Sequence, residues 1–399
     1  MKLYRNLCEA VAEALVEIFV HRRHAPQVVE QWLQSNKKWG ARDRHFIAYT
    51  IYESVRAYRR LLFCIDKEQL ETIADGRLLI GALFLEQGLL LPEWNDWVWP
   101  PRQQFGERRK IAVGLRALRE AIPDWLDQLG AEALGTQWDA ELAAANIPAK
   151  ICLRVNTLRS NKEVVMGWLR DNHIGFSETA LAGDALVLQE RKNVEGWEFY
   201  QNGAIEIQDV SSQLVAAEMQ LQPGLRVIDA CAGAGGKSLH IASMMRNEGE
   251  LYSFDVHDYK LKELQHRARR AGVRILKTYL TEDIPWASLR ETADRVLIDA
   301  PCSGLGTLKR HPDLKWKLTP EFIAQMQETQ RQVLTQYSAL VKPGGLLVYA
   351  TCSILPSENT AQVHWFLAAH QHFQLVREKP ILSCATGYDG FYVAVLQRL

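Results

Sequence analysis

The chain has 399 residues, 47 lysines and arginines against 47 aspartates and glutamates, and 47% hydrophobic residues. At roughly 150 residues per domain that length accommodates two or three domains, and 12 each of tryptophan, tyrosine and phenylalanine exclude a mainly disordered chain. A neutral sum excludes the overall basic excess of the simplest nucleic-acid binders. It leaves local basic faces open, because charge acts over a Debye length of about 8–10 Å.

From the N-terminus, Val11, Ala14, Leu15, Ile18 and Phe19 recur at helical spacing with Glu9, Glu13 and Glu17 on another face, which is no signal peptide. The greasiest run, Leu78 to Leu91, is interrupted by Glu86, Gln87 and Gly88 and is too short and polar to span a bilayer. Residues 1–145 read as successive amphipathic helices with breaks at Pro26, Gly76, Pro100–Pro101 and Pro123. Basic residues cluster there at Arg22–His24, Lys37–Lys38, Arg42 with Arg44, Arg56 with Arg59–Arg60, and Arg108–Lys110. Arg56, Arg59 and Arg60 can share a helix face.

Residues 146–208 form a mixed segment: a strand over Ala149–Asn156, a helix over Lys162–Asn172 and a strand over Ala185–Gln189. From 209 to 399 short apolar strands alternate with helices. The strands are expected at Arg226–Ala230, Leu251–Val256, Arg274–Tyr279, Arg295–Asp299, Leu346–Ala350 and Tyr392–Gln397. A helix between the fourth and fifth of these strands starts at Thr319-Pro320-Glu321 and closes at Lys342-Pro343-Gly344. This alternation predicts a doubly wound α/β sheet covered on both faces.

Seven cysteines (Cys8, Cys64, Cys152, Cys231, Cys302, Cys352, Cys384) are scattered without a CxxC pair. The expectation is reduced thiols in a cytoplasmic protein, with neither a disulfide framework nor a metal site. The first strand of the sheet runs into Asp229-Ala-Cys231-Ala232-Gly233-Ala234-Gly235-Gly236-Lys237-Ser238. Its glycines let backbone turn sharply against a ligand. A phosphate loop would need a glycine where Cys231 stands, and a dinucleotide GxGxxG would need one at Ser238. The third reading is a loop around the amino-acid end of S-adenosylmethionine. All three readings place a carboxylate at the end of the second strand, and Asp255 is there to accept ribose hydroxyls.

The fourth strand ends in Asp299-Ala-Pro-Cys302 and the fifth in Ala350-Thr-Cys352, so two thiols and a carboxylate arrive at the sheet edge that carries the glycine loop. Carbon 5 of cytosine is a poor nucleophile until a thiolate adds at carbon 6, and an acid at ring nitrogen 3 stabilises the charge that follows. A second thiol can assist release of the product.

Asp299-Ala-Pro-Cys302-Ser-Gly304, His311-Pro-Asp-Leu-Lys-Trp316 and Tyr349-Ala-Thr-Cys352-Ser353 resemble the signature motifs of the Nol/Nop/Sun (RsmB-like) family of RNA cytosine-5 methyltransferases. Leu153–Thr157, Ile207–Ser212 and Asp389–Ala394 share the likeness, which covers residue 147 to the end. The resemblance implies a Rossmann-like methyltransferase sheet preceded by a small α+β domain, with S-adenosylmethionine as cofactor and RNA as partner. It implies ribosomal RNA of the small subunit first, with transfer RNA or a non-catalytic assembly role as alternatives. It assigns the nucleophile to Cys352, product release to Cys302, and contacts with cofactor and base to Asp299. Cofactor binding falls to residues 231–237, Asp255 and Asp299.

Two departures stand out: Ala234 where the family has proline, and Tyr279-Leu-Thr-Glu-Asp283 where it has a Gly-Asp pair, leaving Asp283 or a backbone group to meet the adenine. More weakly, residues 42–62 resemble a NusB-like helical RNA-binding domain. The basic run Lys309, Arg310, Lys315 and Lys317, just past Cys302, is expected to face a nucleotide backbone. Neither metal nor membrane is expected, and a monomer is compatible with the absence of long heptads.

Overall fold

The computed structural model describes residues 2–399. It divides into a helical unit that runs to Ile147 and includes Leu308–Leu318, and an α/β unit of Pro148–Thr307 with Thr319–Leu399.

In the helical unit, helices Arg5–Phe19, Ala25–Ser35, Ala41–Cys64, Ile73–Glu86 and Arg102–Gly114 enclose one core. Val11, Leu15 and Ile18 of the first helix, Ile47, Ile51 and Val55 of the third, and Leu79, Ile80 and Leu83 of the fourth are buried in it. Their three- and four-residue spacing places them on one face of each helix. Pro26 lies in the first turn of its helix, where its missing N–H costs no bond. Gly76, expected as a break, is inside the fourth helix, where its backbone packs against Ala12 of the first. Thr72 caps that helix, its hydroxyl accepting from the Asp75 N–H at 3.2 Å.

The α/β unit carries two sheets. Strands β1 (Cys152–Val155), β2 (Phe176–Glu178), β3 (Ala185–Leu188) and β4 (Ile205–Ile207) form an antiparallel sheet in the order β2-β3-β1-β4. Asn156, following β1, donates to the carbonyls of Gly203 (2.7 Å) and Ala271 (2.8 Å). The buried Glu206 of β4 accepts from Arg267 and Arg270. These bonds fasten the small sheet to the helix Asp258–Ala271 of the larger layer.

The second sheet comprises β5 (Arg226–Asp229), β6 (Glu250–Asp255), β7 (Leu276–Leu280), β8 (Ala293–Asp299), β9 (Val341–Thr351), β10 (Phe373–Ile381) and β11 (Phe391–Arg398). Its order is β10-β11-β9-β8-β5-β6-β7. Strands β5 to β9 pair in parallel, while β11 runs antiparallel to both β9 and β10. Chain direction across the sheet reverses between β5 and β8, which makes the carboxyl ends of these strands the ligand crevice.

The expected runs all become strands of this sheet; β5, β6, β8, β9 and β11 are largely buried, while β7, from the run Arg274–Tyr279, is a half-exposed edge strand. β10 was not expected: it is an edge strand whose pattern is mostly exposed and includes Arg377, Glu378, Lys379 and Pro380. The helix after Thr319 ends at Ser338, and Lys342-Pro343-Gly344 belongs to the start of β9 instead of closing the helix.

Candidate active site

β5 ends on Asp229, and the loop beyond it is held from both sides. Ser238 donates to Asp229 at 2.6 Å, while Asp255 at the end of β6 accepts the N–H groups of Gly233 and His257, each at 2.9 Å. Gly235 adopts φ +86°, and a β-carbon there would lie 2.0 Å from Leu264 Cδ1, so the chain enters the helix Gly236–Met244 only through a glycine. The carbonyl of Ala234, where the family has proline, accepts from Arg267 at 2.8 Å, which holds the turn from outside. Burial raises the Asp229 carboxyl to about 7, against the lowering effect of the Ser238 bond and with further raising from Asp299.

A cavity of about 390 Å³ opens at this crevice. Ala230, Cys231, Gly233, Asp255 and Asp299 line one side, and Val256, His257, Lys260, Thr281, Pro301, Thr329, Val333 and Tyr337 complete it. The other loop residues expected to bind cofactor, Ala232, Ala234, Gly235, Gly236 and Lys237, form the turn and helix start beside the cavity without lining it. Burial pushes the Cys231 thiol well above the ordinary range, with Asp229 adding to the shift. Asp283 is exposed and outside the cavity; Thr281, two residues earlier, lines it.

At the ends of β8 and β9, Cys302 Sγ and Cys352 Sγ lie 3.4 Å apart. The hydrogen bond with Cys352, together with burial, pushes the Cys302 thiol well above its ordinary value, so Cys302 holds its proton more tightly than an ordinary thiol. Lys237 donates to Asp299 at 2.7 Å. Burial works to lower the ammonium pKa of Lys237, but the Asp299 carboxylate outweighs it with help from Cys352, and the net shift is upward. A retained positive charge therefore stands beside both the carboxylate and the thiol pair.

Glu358, Ser303, Ser353 and Gln330 complete this end of the sheet. Glu358 is fully buried and bonds both serines, each of which directly follows one of the two cysteines. The repeated Cys-Ser pair was a visible signal for the serines. Nothing local marks Glu358 or Gln330, which reach the site from a later turn and from the helix Pro320–Ser338.

The basic segments behave differently from expectation. Lys309 donates to Ala144 O at 3.0 Å and Lys315 to Arg56 O at 2.8 Å, while Lys317 binds Arg23 O and Asp313. Lys309 and Lys315 are buried, and burial lowers the Lys315 pKa well below its ordinary value. Asp313 caps the helix Ala25–Ser35 by accepting from Ala25 N, and Trp316 donates to Val55 O. Arg56 donates to Ala145, Leu308 and Lys309 carbonyls; Arg59 to Ile122 O and Asp124; Arg60 to Glu86 and Arg119 O. These cations hold the segment Leu308–Leu318 and neighbouring turns inside the helical unit. Arg22, Lys37, Lys38 and Arg42 stay exposed.

The strand order, with a glycine loop and cavity at the reversal point, defines a Rossmann-like methyltransferase fold. Residues 216–397 match the family described as 16S rRNA methyltransferase RsmB/F, and residues 122–195 match the ferredoxin-like domain of RsmF/B-like methyltransferases. The chain is 34% identical over 302 residues to the probable ribosomal RNA small subunit methyltransferase B of Bacillus subtilis, covering 71% of this chain and 67% of that one. It is 34% identical over 298 residues to ribosomal RNA small subunit methyltransferase B of Vibrio vulnificus, covering 72% and 69%. The chain belongs to the RsmB/F methyltransferase family.

Two solved structures share the fold. The crystal structure of PH0851 superposes with a TM-score of 0.84 over 100% of both chains at 24% identity. A methyltransferase homologue from Pyrococcus horikoshii gives 0.64 over 71% of this chain and 98% of that one at 26% identity. Among the described residues no helix is long and apolar enough to cross a membrane, and no cluster of three His, Cys, Asp or Glu could hold a metal ion.

Proposed function

We propose that this methyltransferase acts on carbon 5 of a cytosine in small-subunit ribosomal RNA, with S-adenosylmethionine as methyl donor. The observation that carries the reading is the thiol pair, 3.4 Å apart, at the ends of the two strands next in order to the one that bears the glycine loop. The cavity fits the donor: Asp255 lines it for ribose hydroxyls, Val256, Val333 and Tyr337 offer apolar surface for a base, and Asp299 is part of its wall. When bound, S-adenosylmethionine supplies an electrophilic methyl group.

Cys352 is the nucleophile. Cys302, whose own proton is held tightly, is its hydrogen-bond partner at 3.4 Å, and the Lys237 ammonium interacts with Cys352 electrostatically. The thiolate adds to carbon 6 of a cytosine turned out of its stack, at a cost of a few kcal/mol. Asp299, oriented by Lys237, binds the polar edge of the ring as charge develops there. Once carbon 5 is methylated its proton leaves to solvent, the C–H electron pair re-forms the 5,6 double bond and the Cys352–carbon pair returns to sulfur as thiolate. Cys302, 3.4 Å away, assists by hydrogen-bonding that departing thiolate.

The helical unit is the RNA-binding part of this reading, with Arg22, Lys37, Lys38 and Arg42 as its phosphate-facing cations. The domain organisation we propose is a helical region (1–145), a small α+β domain (146–208) and the methyltransferase domain (209–399).

The test separates the two thiols. Incubated with cellular RNA and S-adenosylmethionine, Cys302→Ala accumulates a denaturant-stable protein–RNA adduct and Cys352→Ala forms none. The reverse pattern exchanges their roles, and absence of adduct from both overturns the covalent reading. Bisulfite sequencing of RNA from cells lacking the protein identifies the cytosine.

A further inference from the structure

Glu358 carries no charge partner among its hydrogen-bond donors, although it is fully buried in the turn Pro356–Glu358. Its carboxylate accepts from Ser303 N at 2.8 Å, Ser303 Oγ at 2.5 Å, Gln330 Nε2 at 3.1 Å and Ser353 Oγ. A buried carboxylate is costly unless such donors surround it, and these donors come from both cysteine loops.

The polarity of the network follows from the acceptor-only carboxylate. Both serine hydroxyls point their protons at Glu358, leaving lone pairs for the N–H groups of the next turns: Leu305 N to Ser303 Oγ at 3.5 Å and Leu355 N to Ser353 Oγ at 3.1 Å. Gln330 also holds Pro301 O at 2.9 Å, so Cys302 is gripped at the residues before and after it. Asn359, next to Glu358, does the same for Cys352: its amide oxygen accepts from Thr351 Oγ1 at 2.5 Å and its nitrogen donates to Ser353 O at 2.9 Å. The Tyr349 hydroxyl, bonded to Glu358 O at 2.7 Å, fixes the turn to β9.

We infer that Glu358 is a positioning residue that sets the approach of the Cys302 and Cys352 sulfurs by bonding the residue after each. It touches neither sulfur. The inference deepens the covalent reading above and rests on it for its effect on catalysis, while its effect on thiol geometry stands independently.

Glu358→Gln keeps the volume and one acceptor oxygen but turns a donor towards the two hydroxyls; Glu358→Ala removes all four bonds. In the full chain three quantities are measured: methyl-transfer kcat and KM for RNA, affinity for S-adenosylhomocysteine, and the equilibrium of the Cys302–Cys352 disulfide in glutathione buffers. That equilibrium is read by mass spectrometry of the linked peptides. In it the two thiols give two electrons and two protons to one glutathione disulfide, releasing two glutathione molecules.

Misplacement by about 1 Å can cost about 100-fold in rate. The expected result is therefore a kcat fall of about tenfold for Glu358→Gln and about 100-fold for Glu358→Ala. KM and S-adenosylhomocysteine affinity should stay within about twofold, and the disulfide equilibrium should shift about tenfold or more. If Glu358→Ala does not fold, Ser303→Ala and Ser353→Ala remove the two hydroxyl bonds, one from each cysteine loop, and should give intermediate losses.

An unchanged disulfide equilibrium in the folded variants overturns the inference, whatever happens to activity. A shifted equilibrium with undiminished methyl transfer upholds the clamp and sinks the covalent reading instead.

Discussion

Replacing Arg56 with methionine tests whether the basic residues of the helical unit bind RNA or brace the fold. Arg56 is 6% exposed; its guanidinium donates to Ala145 O and Lys309 O at 3.1 Å each and to Leu308 O at 3.4 Å, and pairs with Glu53 at 3.2 Å. Methionine retains most of the apolar stem, so the loss is chiefly that of charged donors to buried carbonyls. Each such bond contributes about 1.5–3 kcal/mol, and the longest counts for little, which gives a loss of about 3–6 kcal/mol from the two shorter ones. For a unit of this size the midpoint falls about 2–4 °C per kcal/mol, hence by about 6–24 °C. Calorimetry reads the transition, and RNA titrations at several salt concentrations read the affinity. The brace predicts a lowered midpoint with an unchanged salt slope at temperatures where the variant is folded. An unchanged midpoint with weaker RNA binding and a slope reduced by about one would refute it, since that is the signature of a lost phosphate contact.

Asp229 gives a pH dependence. Its folded-state value of about 7 lies above the unfolded 3.8, so its contribution to stability is fully present below about pH 4 and is lost as pH rises through 7. Asp229→Asn should therefore gain on the wild type between pH 4 and 8, by at most about 4 kcal/mol, in denaturant melts; a difference that is flat with pH would refute it. Gly306 is a close-approach position. Its N–H donates to Cys352 O at 2.9 Å, its carbonyl accepts from Gly390 N at 2.7 Å, and a β-carbon would lie 1.9 Å from Gly390 O. Gly306→Ala should cut methyl transfer by about 100-fold while leaving S-adenosylhomocysteine binding intact, because the thiol loops move and the cofactor cavity does not. Full activity in that variant would show that the loops tolerate separation.

Much of the catalytic unit was legible in the chain because its chemistry is local. Near-continuous apolar runs in β5, β6, β8 and β9 can only be buried strands, and the residues that end them fall at the crevice by topology. β10 escaped because an edge strand buries little and needs no alternation. Glu358 escaped because a carboxylate in a polar turn is ordinary in sequence, and becomes distinctive only when two distant cysteine loops close over it. The cationic clusters were misread for a related reason. Sequence displays a charge but not its acceptor, and the carbonyls that claim Arg56, Lys309 and Lys315 come from segments up to 259 residues away.

By itself, then, the sequence determined the strand–helix alternation, the glycine loop, and the arrival of Asp299, Cys302 and Cys352 at one sheet edge, since these depend on periodicity and strand ends. Only the tertiary structure decided that the two sulfurs stand 3.4 Å apart, that Thr281 and not Asp283 faces the cavity, and that the neutral charge sum conceals cations spent inside the helical unit. Distances and the partners of buried charges depend on contacts between residues far apart in the chain, which no local pattern encodes.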